Sequence, residues 1–252
     1  CDDFIQAMAD ANAGSALAAW RIEETGTKLR VSIGTGAKAP SLYQQFSIYS
    51  PTRNGDPALV PESSWGVDAG IDQTFAGGRF LLSGSVFLNR IRNMIDFDAM
   101  RGTPGPFGPI GQYVNVARAR IRGIELGGEA ILVPETLRLR SAYSFLDAID
   151  EATGLRLQRR PAHEAKVSAV WTPWRKLSIE PALYLVGERF SSRNEVGRLK
   201  SYARLDARIA WQATANLELY VRGENLAGAR YQEIIDYGAP GRSFYFGARA
   251  SW

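Results

Sequence analysis

The sequence predicts an all-β protein, an antiparallel transmembrane β-barrel with about eleven strands in this chain, and three observations predict it. Apolar and polar residues alternate with period two along most of its length. The connections between the alternating segments are short and long in strict turn. Tryptophan gathers near one end of the strands, as an amphipathic ring does at a membrane interface.

Read by that period, extended segments fall at residues 15–24, 28–38, 63–75, 79–92, 112–132, 136–149, 160–172, 176–190, 199–212, 216–227 and 241–252. The stretches "EETG", "FAGG", "LVPE", "TPWR" and "QATAN" read as tight turns, and they alternate with long loops at 39–62, 93–111, 150–159, 191–198 and 228–240. Short turns on one side and long loops on the other characterise outer-membrane barrels, whereas β-sandwiches mix loop lengths at both ends. Trp20, Trp171, Trp174, Trp211 and Trp252 lie on the short-turn side, and Trp65 lies on the loop side.

The two faces of each segment differ in kind. In 28–38, Leu29, Val31 and Ile33 alternate with Arg30, Ser32 and Gly34; in 63–75, Trp65, Val67, Ala69 and Ile71 alternate with Gly66, Asp68, Gly70 and Asp72. In 199–212, Leu205, Ala207 and Ile209 alternate with Arg204, Asp206 and Arg208, and in 241–252 Phe244, Phe246 and Ala248 alternate with Tyr245, Gly247 and Arg249. A barrel in lipid turns the apolar face outward and the charged face to a wet lumen. On this rule the row Arg118, Arg120 and Arg122, opposite Ala117, Ala119 and Ile121, is expected on the charged, inward face with the rest.

Composition is compatible with this and excludes other classes. With 45% hydrophobic, 22% charged and 11% aromatic residues among 252, the chain is expected to fold as one unit over 1–252. No run approaches the roughly 18 apolar residues of a spanning helix, and the mean hydropathy of −0.19 fits a barrel whose lumen residues dilute the average. The net charge of +4 comes from dispersed arginines rather than a basic block, so nucleic acid is not an expected partner. Cys1 is the only cysteine and His163 the only histidine, which leaves no disulfide framework, no thiolate zinc site and no expected metal or cofactor.

Two local patterns suggest chemistry and do not carry it. "GTGAKAP" places glycines beside a lysine but lacks the spacing and following helix of a phosphate loop. His163 and Ser168 differ by an odd number of residues, so on a regular strand they face opposite ways and cannot exchange a proton. No enzyme activity is expected.

The succession "GTGAKAPSLYQQF", "ALVPESSWGVDAGID", "FLNRIRNMIDF", "YVNVARARIRGIELGGE" and "ENLAGARYQEIIDYGAPGRSFYFGARASW" resembles the C-terminal half of the barrel of TonB-dependent outer-membrane receptors, from Lys28 to Trp252. The resemblance implies a wall of about twenty-two strands around an N-terminal plug, in the outer membrane of a Gram-negative bacterium, importing a large scarce nutrient. "LYQQF" and "ARIRGIE" are most similar to cobalamin transporters, and siderophore receptors share most of the blocks. A corrinoid is therefore the expected ligand, with a ferric siderophore as the alternative; an outer-membrane barrel enzyme and a soluble β-sandwich binding module remain open as other classes. Plug, TonB-contacting motif and signal peptide have no counterpart among these residues, so the chain is expected to be a fragment, the C-terminal portion of such a barrel. The resemblance further implies engagement of the TonB complex through an N-terminal region outside the chain, and of the barrel assembly machinery through the last strand. That strand ends in Trp252 where the family usually has Phe.

Candidate ligand contacts lie in the long loops. Loop 39–62 carries Tyr43, Phe46, Tyr49, Arg53, Asn54 and Asp56; loop 191–198 carries Arg193 and Asn194; loop 228–240 carries Tyr231, Asp236 and Tyr237. Aromatic rings offer large contact area at low entropic cost and polar groups orient the ligand, which suits a bulky amphipathic molecule.

Overall fold

The computed structural model describes residues 13–49, 52–98, 101, 104–105, 108–109 and 111–251; Trp252, the expected terminal anchor, lies outside the described residues. Eleven strands form one sheet: β1 Gly14–Ile22, β2 Thr27–Lys38, β3 Glu62–Phe75, β4 Phe80–Asp98, β5 Gln112–Val133, β6 Leu137–Asp150, β7 His163–Trp174, β8 Leu177–Val186, β9 Tyr202–Thr214, β10 Leu217–Glu224 and β11 Ser243–Ala250. Each pairs with its sequence neighbour, and β1 and β11 are the two edges of the sheet. This is an antiparallel, partial barrel wall that does not close on itself.

The turns explain why the strands succeed one another so directly. At Gly26 the backbone takes φ 67°, and a Cβ there would sit 2.8 Å from the carbonyl oxygen of Thr74, so the β1–β2 turn requires glycine. At the other end the chain departs from expectation. β4 runs on to Asp98 instead of stopping near 92, and the segment expected as loop 191–198 belongs to a hairpin, Arg189–Ser192 paired with Val196–Leu199. Backbone pairing satisfies the polar groups of these segments where a free loop would leave them to water.

Cross-strand register decides the faces. Leu29, Ile71, Gly84, Leu126 and Tyr143 form one continuous row, and Val31, Ala69, Val86, Ile124 and Phe145 the next, all on one side of the sheet. The opposite side carries ion pairs across strands: Arg30 with Asp72 (3.8 Å), Arg140 with Glu129 (3.1 Å), and Arg208 with Glu180 (3.1 Å) and Glu218 (2.6 Å). Arg249 of β11 joins the same side through Glu218, as its alternation with Phe246 and Ala248 requires. Gly247 leaves room on that side for the Tyr220 ring, whose atoms would lie 2.4 Å from a Cβ. Trp20, Trp171 and Trp211 stand on the apolar side near the short turns, in register with Leu29, Leu137 and Leu177. His163 faces the apolar side, accepting or donating at 2.9 Å to the Tyr143 hydroxyl, and Ser168 faces the charged side opposite Arg140.

One expectation is corrected. Arg118, Arg120 and Arg122 do not face inward: they pair in register with Arg92, Arg90 and Leu88, on the same side as Trp65 and Val67. The physical reason is strand length. β4 and β5 have 19 and 22 residues, whereas about 9–11 residues cross the hydrocarbon. The distal halves project beyond it, where an outward arginine meets no hydrocarbon. There Asn93, at φ 55°, interrupts the alternation, and Met94, Val116, Ala119, Ala148 and Leu157 gather as a small core beneath the loops.

The face assignment has a direct consequence. Arginine in place of Val31, Ile71 or Ile209 is expected to cost about 2–4 kcal/mol near mid-membrane, whereas Glu164→Gln on the charged side of β7 is expected to change folding stability little. A denaturant titration of barrel folding into vesicles checks this, since tolerance equal on both faces contradicts the orientation.

Candidate ligand site at the loop end of the sheet

The segment 39–61 is ordered by its own turns. Ser41 and Gln44 form a reciprocal cap, the Gln44 amide donating to Ser41 Oγ at 3.2 Å and the Ser41 amide to Gln44 Oε1 at 2.9 Å, which starts the short helix α1 Leu42–Phe46. The helix exposes Tyr43 and Phe46, at 62% and 51% of their surface. A hairpin of Ile48–Tyr49 with Thr52–Arg53 follows; of Tyr49 and Arg53, only the backbone lies within the description. Asp56 is spent on structure, its carboxylate accepting from the Ala58 amide at 2.9 Å. The Asn54 carbonyl accepts from the Tyr113 amide at 3.0 Å, and the Asn54 side-chain oxygen is buried with no partner among the described residues. Tyr113 is the floor of this loop, with the rings of Tyr43 at 6.1 Å and Phe97 at 5.3 Å edge-on to it. Burial, with Tyr43 beside it, pushes the Tyr113 hydroxyl above its ordinary pKa.

A second cluster ties loops that are remote in sequence. Arg193 reaches Asp98 at 3.5 Å and Asp150 at 3.1 Å and is itself mostly buried. Its guanidinium neutralises two carboxylates brought together from β4 and β6. Gln158 donates to Asp96 at 2.6 Å and to the Phe97 carbonyl at 3.0 Å, which folds the 151–162 connection inward over Leu157. Asn194, at φ 57°, turns the tip of the hairpin.

The 225–242 connection closes over the charged side of β8 and β9. Tyr231 stacks on Tyr202 with centroids 3.9 Å apart, and Arg204 donates to its hydroxyl at 3.4 Å. Arg189, with its side chain almost wholly buried, donates to the Gln232 carbonyl at 3.0 Å and to Glu233 at 2.7 Å. Asp236, at φ 66°, turns the tip of the small hairpin, and Tyr237 next to it is 73% exposed. Between this connection and residues 198–201 lies a recess of about 930 Å³ bordered by Arg198, Lys200, Arg230, Tyr231 and Arg242.

Of the sequence-predicted residues, Tyr43, Phe46 and Tyr237 present free surface. Asp56, Arg193, Asn194, Tyr231 and Asp236 hold or turn the loops, and Asn54 does so through its backbone. Sequence reading missed the basic border of the recess, and it missed Asp98 and Asp150, whose partner Arg193 stands 95 and 43 positions away. The available signal for the border was the repetition of arginine at the outer limits of loops 191–198 and 228–240.

Comparison with known proteins follows the same lines. The family model for the β-barrel of TonB-dependent receptor-like proteins matches residues 6–226. The vitamin B12 transporter BtuB of Vibrio cholerae serotype O1 is 26% identical over 232 residues, covering 89% of this chain and 34% of that protein. The chain thus spans about a third of the length of the curated relatives it matches. Among solved structures, the copper transporter OprC superposes with a TM-score of 0.79 at 18% identity, over 95% of this chain and 39% of that one. The siderophore receptor PiuA from Acinetobacter baumannii gives 0.71 at 19% identity over 94% and 35%. A variant of the ferric enterobactin receptor PfeA from Pseudomonas aeruginosa gives 0.74 at 21% over 95% and 40%. These likenesses establish the fold.

Arg193 supplies the test of the loop architecture. Arg193→Met takes the cation away from the buried Asp150 carboxylate and is expected to destabilise the local packing by on the order of 3 kcal/mol. Limited proteolysis should then cut the 151–162 and 189–199 segments faster while the strands stay protected. Asp150→Asn in the same background is expected to restore part of the resistance.

Proposed function

The chain belongs to the TonB-dependent receptor β-barrel family, and on that premise we propose that it is the C-terminal portion of the wall of an outer-membrane importer in a Gram-negative bacterium. Its loops form part of the external mouth. In this reading the protein makes no covalent change to its cargo; it captures the cargo, and a plug carried by the rest of the receptor opens when the TonB complex draws on it. The last strand, ending in Trp252, is the part offered to the barrel assembly machinery.

The cargo we propose is a corrinoid. The observation that carries this is the group of exposed aromatic side chains on ordered loops, Tyr43 and Phe46 on α1 and Tyr237 beside its hairpin tip, which suits the broad faces of a large, nearly neutral macrocycle. The Vibrio cholerae vitamin B12 transporter among the relatives supports the same reading. A ferric siderophore is the second reading, and the recess bordered by Arg198, Lys200, Arg230 and Arg242 favours it, because a cationic recess suits an anionic chelate.

The two readings separate in one binding experiment on the intact receptor. Joint replacement of Tyr43, Phe46 and Tyr237 by alanine is expected to weaken cyanocobalamin binding roughly tenfold with barrel yield unchanged. Undiminished corrinoid binding by that variant removes these loops from the site. Loss of ferric-chelate binding on replacing Arg198, Lys200, Arg230 and Arg242 by glutamine, with no corrinoid binding by the parent receptor, assigns the second reading instead.

A further inference from the structure

Five arginines stand together on the outward side of β4 and β5: Arg90 and Arg92 on one strand, Arg118, Arg120 and Arg122 on the other. Arg90 is directly opposite Arg120, and Arg92 directly opposite Arg118. Like charges directly opposite one another on one sheet face are destabilising. Among the described residues only Arg122 has an acidic partner, Asp147 at 2.8 Å. Arg120 Nε is buried without a hydrogen-bond partner, and Arg90 instead lies over the Trp65 ring at 5.7 Å. Among the described residues, four guanidinium groups thus stand on this face without an acidic partner.

Their height places them. From the short turn after Val133, β5 climbs eleven residues to Arg122 through the outward Leu132, Leu126 and Ile124, which matches the roughly 9–11 residues that cross the hydrocarbon. From Phe80, β4 reaches Arg90 over a similar distance, through the outward Leu82 and Val86. Above the apolar row of Phe145, Ile124 and Val86, the next row, about 7 Å further along the strands, holds Arg122 and Asp147 beside Leu88 and Val67, and the row after it holds Arg90 and Arg120. Trp65, whose ring prefers the interface, stands in the same row as Arg90 and Arg120. An arginine cluster at this level faces headgroups.

We propose that this patch is a binding site for the phosphate groups of an anionic lipid headgroup in the outer leaflet, gripped by Arg90, Arg92, Arg118 and Arg120. Guanidinium forks match phosphate oxygens bidentately, and phosphate between opposed arginines removes the repulsion that the bare sheet carries. The inference rests on the membrane reading given above.

The test uses the intact receptor in phosphatidylcholine nanodiscs titrated with fluorescent diphosphoryl lipid A. The joint variant Arg90→Gln, Arg92→Gln, Arg118→Gln, Arg120→Gln is expected to bind the lipid roughly tenfold more weakly, since each basic residue near an anionic surface adds a share of the attraction. The inward control Arg140→Gln, Arg249→Gln should shift affinity by under about twofold. If the quadruple variant does not fold, the paired variant Arg92→Gln, Arg118→Gln serves, with an intermediate loss expected. Wild-type affinity in the outward variants overturns the proposal. Competition by inorganic phosphate at concentrations comparable to the lipid assigns the patch to free phosphate and overturns the lipid as its ligand. The heat-modifiable gel migration of a folded barrel separates the two levels: a receptor that lacks it contradicts the membrane reading, whereas a heat-modifiable receptor with unchanged lipid affinity contradicts this inference alone.

Discussion

Hydrocarbon offers no hydrogen-bond partner, so every backbone N–H and C=O that crosses it has to find one in the neighbouring strand. From that constraint follow the uninterrupted antiparallel ladder from β1 to β11, the turns that return the chain at once on one side, and the strict alternation of faces. A soluble sheet tolerates a bulge or an open edge because water completes the pairing; here irregularity is displaced to the ends. Asn93, with its left-handed backbone, sits well beyond the level where β4 leaves the hydrocarbon, and the β7–β8 and β9–β10 registers shift next to the short turns. The same constraint explains why the sheet edges at β1 and β11 call for further strands in a closed wall.

Once the backbone is committed, the side chains divide the work by height as well as by face. In the middle of the strands the outward side chains are apolar, and the inward ones form part-buried ion pairs such as Arg208 with Glu180 and Glu218. Above the apolar rows the wall changes character: arginines turn outward, a small core of Met94, Val116 and Leu157 fills the inside, and the loops are tied by contacts across the sequence. Arg193 with Asp98 and Asp150, Arg189 with Glu233, and Tyr231 on Tyr202 make the loop end an ordered surface; on the proposed reading, binding there need not first order the loops.

Most of the wall was legible in the sequence, because period two is set by the backbone and survives any choice of side chain. Leu29, Val31 and Ile33 against Arg30, Ser32 and Gly34 state the faces of β2 without help from a neighbour, and Trp20, Trp171 and Trp211 mark the short-turn end. For Arg118, Arg120 and Arg122 charge alone points inward and the fold does not follow it: alternation separates two faces, but only strand length reveals where along the strand an outward charge ceases to meet lipid. The mouth was legible in part. Tyr43, Phe46 and Tyr237 are recognisable as exposed loop aromatics, while the structural duty of Arg193 is invisible without the fold, since its partners Asp98 and Asp150 come from other strands.

The central claim is that height and face together determine what each position of the wall meets. Spin labels placed one at a time from Ile121 to Val133 along β5, in the receptor reconstituted in a bilayer, test it by their accessibility to oxygen and to a water-soluble nickel chelate. The account predicts oxygen maxima at the even positions from Ile124 to Leu132, chelate maxima out of phase at Glu125, Gly127 and Glu129, and a loss of oxygen accessibility on the outward face at Arg122. Oxygen maxima on the inward positions, or an outward face still lipid-accessible at Arg122, would contradict it.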